Sequence, residues 1–136
     1  MIDMKLGSAY DWLVGAGSLS LLLAFVFAFV GAVKLMGAPG MVEEFTQIGI
    51  GQWFRYVTGI LEVGGAIGVL IPKSRFYGAL LIAIVMAGAT VTNVAILQVP
   101  ALAVPTTALM TMALTLAWQW RPGGWRHARA RYNRTL

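Results

Sequence analysis

Long apolar runs, broken at a few points by charge, proline or glycine, organise this chain. Asp11 and Lys34 bound one uncharged run, Trp12 to Val33, and Arg75 and Arg121 bound a second, Phe76 to Trp120. A helix crosses the hydrocarbon layer in about 20 residues, so the first run predicts one span and the second two. Gln98, Pro100 and Pro105 interrupt the longer run and mark the turn inside it. Between the two runs lies VTGILEVGGAIGVLIP, Val57 to Pro72, whose only charge is Glu62. Such segments are too long and too continuously apolar to alternate as barrel strands, which leaves helices. The expected fold is therefore all-α, an integral membrane antiparallel four-helix bundle with spans at about 13–36, 53–71, 77–97 and 104–120. Residues 121–136 form a basic tail behind this single domain.

The stretch joining the first two spans has a different rhythm. Gly-Ala-Pro-Gly and Gly-Ile-Gly breakers enclose Met41 to Ile48, where Met41, Val42, Phe45 and Ile48 alternate with Glu43, Glu44 and Gln47. That spacing predicts a short amphipathic helix lying in the membrane interface. Small-residue pairs four apart (Gly64 and Gly68, Ala83 and Ala87, Ala113 and Ala117) predict close helix packing.

Composition agrees with the pattern: 59% of the 136 residues are hydrophobic and 11% charged, more apolar surface than a soluble domain of this size can hide. The first span is too long for a signal peptide and lacks a small-residue cleavage site after it. Placing both termini in the cytoplasm puts Lys5, Lys73, Arg75, Arg121, Arg126, Arg129, Arg131 and Arg134 inside, against only Lys34 and Arg55 outside. That bias predicts the orientation, in a bacterial plasma membrane. Arg121, Arg126, Arg129 and Arg131 are then placed to meet anionic lipid headgroups, and the net charge of +5 speaks for lipid and against nucleic acid. There is no cysteine, and the one histidine, His127, sits in the tail. Disulfide, thiolate and imidazole-rich metal sites are excluded, and no metal is expected.

Glu62 carries the candidate chemistry. A carboxyl group at mid-bilayer needs protonation, a cation or water, so the side chains that accompany it outline a site. Arg55, Thr58, Gly59, Glu62, Gly65, Ala66 and Val69 share one helical face. Met86, Thr90 and Asn93 do so in the third span, Thr107, Thr111 and Thr115 in the fourth, and Phe27, Gly31 and Lys34 in the first. If these stripes converge, Lys34 and Arg55 are the charge partners of Glu62, and Asn93 and Thr90 its hydrogen-bonding company. Glu43, Glu44 and Trp53 would stand at the mouth of a funnel that opens outward. The same residues admit a plainer reading: Glu62 as half of a structural ion pair, and threonines bonded to their own helix.

Gly31, Lys34 and Leu35, then Phe45, Trp53-Phe54, Thr58-Gly59 with Glu62, Leu70 with Pro72, and Met86 with Gly88-Ala89 together resemble the DoxX-like membrane proteins over about 24–120. The resemblance implies a four-helix integral membrane protein. It also implies, among relatives, small subunits of quinone-linked sulfur oxidation, partners in redox-defence complexes, and assembly factors. Asn93 stands where relatives often carry a histidine, and it cannot titrate. The function expected on this basis is an accessory subunit of a membrane redox system that interacts with a quinone or small polar molecule at Glu62. It has no covalent cofactor, and a redox protein or a second copy serves as partner. A scaffold or assembly factor is the alternative, and a small proton-coupled carrier a third reading.

Overall fold

The computed structural model describes residues 2–123, and the side chains of 17–123. Within that range the fold is all-helical, with no strand. Helix α1 spans Ile2–Met36, α2 Pro39–Ile48, α3 Gln52–Leu70, α4 Arg75–Val91 and α5 Ala103–Trp120. A π-helical turn at Thr92–Ile96 prolongs α4, and a 3₁₀ turn at Pro100–Leu102 leads into α5. Three stretches, Gly17–Met36, Arg75–Ile96 and Pro100–Trp120, are long and apolar enough to cross a membrane. In α3 the guanidinium of Arg55, the carboxylate of Glu62 and five glycines or alanines dilute the same signal. Tail residues Arg126, Arg129, Arg131 and Arg134 lie outside the described residues.

Each break between helices has a local cause. Pro39 opens α2 at a position where its missing N–H is no loss. Gly49 closes α2 in the left-handed region, φ 80°, with its N–H on the Phe45 carbonyl. Ile71 is extended because Pro72 follows it. The carbonyls left over at the end of α3 are taken by side chains of the next turn. Ser74 Oγ donates to Gly68 O at 2.9 Å, and Arg75 Nε donates to Val69 O at 2.7 Å. Arg75 is thereby folded against the protein, with its guanidinium over the Trp120 ring at 4.3 Å.

Two contacts between backbones set the tilt of α3. Toward the α2 end it presses on α1: a Cβ on Gly31 would lie 2.9 Å from Gly59 O. Toward the α3–α4 turn it presses on α4: a Cβ on Gly78 would lie 2.7 Å from the carbonyl carbon of Gly68. Such approach is open only to glycine. Of the expected small-residue pairs, Ala113 and Ala117 are both buried. Gly64 and Ala87 instead face outward, and Gly64 has open space beside it. The core, with Leu23, Phe27, Val69, Ile82 and Leu116 at its centre, lies between α1, α3, α4 and α5. Outside it, Phe25, Phe29, Ile60, Ile67, Ile84, Val91 and Trp118 are exposed. An apolar exterior around a partly polar interior is what a lipid solvent requires.

Candidate functional site

Glu62 sits on the inward face of α3 and is fully enclosed, 0% exposed. Its Oε1 accepts from Lys34 Nζ at 2.5 Å. Lys34 stands in the last turn of α1, 12% exposed at the side chain, and its ammonium lies 5.9 Å from the Phe45 ring centroid on α2. The pair thus joins α1 to α3 beneath α2. Glu62 Oε2 is buried and has no hydrogen-bond partner among the described residues.

That carboxylate lies on the wall of a cavity of about 410 Å³, inside the range of small-molecule sites. All five helices contribute. Val26, Phe27 and Val30 come from α1, Met41, Phe45 and Ile48 from α2, and Phe54, Val57 and Leu61 from α3. Ile84, Val85 and Met86 on α4 and Leu109 on α5 complete the apolar lining. Against this background the polar groups are few: Lys34, Glu44, Thr58, Glu62, Thr92, Asn93 and Thr106. Among the described residues, no group of three or more His, Cys, Asp and Glu is arranged to hold a metal ion.

Arg55 is buried but does not meet Glu62. Its Nη1 donates to the Lys34 carbonyl at the end of α1, its Nε donates to Gln52 Oε1 at 2.8 Å, and its guanidinium stacks 4.3 Å from the Tyr56 ring centroid. Gln52 Nε2 in turn donates to Val42 O on α2 at 3.0 Å. The chain of bonds clamps the ends of α1, α2 and α3 together and fixes the backbone that carries Lys34. The physical reason is that carbonyls at the end of α1 have no following helical turn to bond them, and the Lys34 carbonyl, which the Gly37 N–H also reaches, has a lone pair free for Arg55.

Asn93 lines the cavity from the π-helical turn, and its Nδ2 donates to Leu102 O at 3.2 Å across the α4–α5 connection. Asn93 lies on the buried face that Met86 occupies two turns earlier, as its helical spacing anticipates. Thr90 does not reach the cavity. It donates to Met86 O at 2.9 Å and meets Thr106 at 2.8 Å. The threonine stripe of the last span points the other way: Thr107, Thr111 and Thr115 are exposed, and the latter two bond the carbonyls one turn back. Thr106, one position from the stripe, is the residue that faces in. Of the expected mouth residues, Glu44 lines the cavity, Glu43 faces outward, and Trp53 is 60% exposed with its indole on Ile50 O. Arg121 lies against Trp118, 3.7 Å from the ring centroid. The roles of Gln52 and Thr106 escaped the pattern of the sequence, since an amide and a hydroxyl near helix ends carry no signal above background.

A model described as the DoxX-like family matches residues 18–116. No curated protein and no solved structure matches the chain significantly.

Proposed function

The chain belongs to the DoxX-like family of membrane proteins, and from that premise we propose that it is an accessory subunit of a membrane redox system whose cavity holds a quinone against the Lys34–Glu62 pair. One observation carries this reading: an apolar cavity of about 410 Å³ ends on a buried carboxylate that has an acceptor to spare. Apolar walls suit a quinone ring and chain, and one charged pair fixes the orientation of the head. The chain supplies position and polarity; electrons pass between the quinone couple and a redox partner protein.

In this proposal α3 is a fourth span. Its polar residues face inward while Tyr56, Val57, Ile60, Ile67 and Leu70 face outward, so the helix presents lipid with an apolar face. Helix α2 then lies in the outer interface of a bacterial plasma membrane. The turn at Lys73, the C-terminal arginines and both termini are cytoplasmic.

Native mass spectrometry of gently extracted protein tests the proposal. A retained quinone mass that disappears in the double variant Lys34→Met/Glu62→Met supports it. Protein that carries no small molecule, and whose Glu62→Gln variant loses folded yield and partner abundance together, supports instead the scaffold reading. The observation favouring that second reading is the 2.5 Å Lys34–Glu62 contact, which pins α1 to α3 without any ligand.

A further inference from the structure

Helix α3 meets α1 backbone to backbone at Gly59 and α4 at Gly78, and toward α2 the cavity is lined by both α3 and α4. Four of its lining residues, Val57 and Leu61 on α3 and Ile84 and Gly88 on α4, are also exposed on the outer surface of the helices. Those four positions, none with a polar side-chain group, put cavity wall at the outer surface along the α3–α4 cleft. Water-soluble molecules have no reason to enter there, whereas a molecule dissolved in acyl chains does.

The far wall has a definite hydrogen-bonding sense. Oε1 of Glu62 is occupied by Lys34, and Oε2 is buried with no partner among the described residues. A carboxylate held by an ammonium accepts and cannot donate. A buried acceptor without a donor costs free energy that an arriving O–H recovers. A quinone offers only carbonyl acceptors to this oxygen; its reduced form offers a hydroxyl.

We infer that the cavity receives a membrane-dissolved hydroquinone through the α3–α4 cleft, its hydroxyl donating to Oε2 of Glu62 and its tail leaving past Gly88. This rests on the quinone-site reading and adds redox-state selectivity and a route of entry to it. Gly88 is the position from which to test the route, since a Cβ there meets nothing within 4 Å. A leucine there adds bulk to the cleft from a Cβ that itself meets no neighbour.

The experiment is equilibrium binding to the full chain in oxygen-free nanodiscs, using a decyl-substituted benzohydroquinone, the matching benzoquinone and a tail-less benzohydroquinone. The hydroquinone should bind about tenfold tighter than the quinone, the worth of one hydrogen bond to a charged acceptor. Glu62→Gln should level the two. Gly88→Leu should weaken the decyl compound by a similar factor and leave the tail-less one unchanged. Equal affinity of both redox forms for the wild-type protein, or preference for the quinone, overturns the inference while the quinone site stands. Unchanged binding of the decyl compound by Gly88→Leu overturns the lateral route. Failure of every form to bind overturns the quinone reading itself.

Discussion

Removing either member of the Lys34–Glu62 pair leaves a charge enclosed by apolar side chains. Lys34→Met or Glu62→Ala is expected to lower stability by about 3–5 kcal/mol, and the double variant Lys34→Met/Glu62→Met to recover most of that loss. Thermal unfolding in detergent measures both, and a single substitution without effect would place the pair in solvent. Arg55 acts at a distance from the carboxylate. Arg55→Met is expected to cost about 1.5–3 kcal/mol through its lost bonds to the Lys34 carbonyl and Gln52. The destabilisation should appear even in a Glu62→Gln background, since the two groups share no contact. From the amino-acid order, Arg55 and Lys34 look equivalent, each a cation beyond the outer end of the carboxylate's helical face. Which one reaches Glu62 depends on the packing of α1 against α3, and the loser is claimed by a helix end.

At the scale of elements, glycines divide into those that hold helices together and those that do not. Gly78→Ala pushes a methyl group into the α3 backbone and is expected to cost about 1–3 kcal/mol. Gly64→Ala meets open space and should stabilise α3 by about 0.5–1 kcal/mol through reduced backbone entropy of the unfolded chain. Parallel unfolding curves of the two variants decide the matter; equal effects would mean that α3 and α4 do not cross at Gly68–Gly78. The helical periodicity of α3 anticipates its inward face: Arg55, Gly59, Glu62, Gly65, Ala66 and Val69 are buried, and Thr58, expected with them, is half-buried. The same reasoning fails in α5, where Thr107, Thr111 and Thr115 lie outward because a threonine can satisfy its hydroxyl on its own helix. A stripe that needs no partner gives no information about where partners are.

At the scale of the molecule, a four-span arrangement puts Glu43 and Lys73 on opposite sides of the bilayer. The absence of cysteine makes the chain a clean background for labelling. A membrane-impermeant maleimide should modify Glu43→Cys in intact cells and Lys73→Cys only after permeabilisation. Modification of both from one side would mean that α3 does not cross. The cavity belongs to this scale as well, since residues of all five helices line it.

Membrane class, helical segments and the singular position of Glu62 follow from hydrophobic run lengths and one carboxylate among apolar residues, because the cost of burying backbone or charge without partners acts locally along the chain. The identity of the partner of Glu62, the diversion of Arg55 and the closing of a cavity around the carboxylate depend on how helices lean on one another. Those angles are set by pairs such as Gly31 with Gly59 and Gly68 with Gly78, whose members come from different helices, so no local pattern records them.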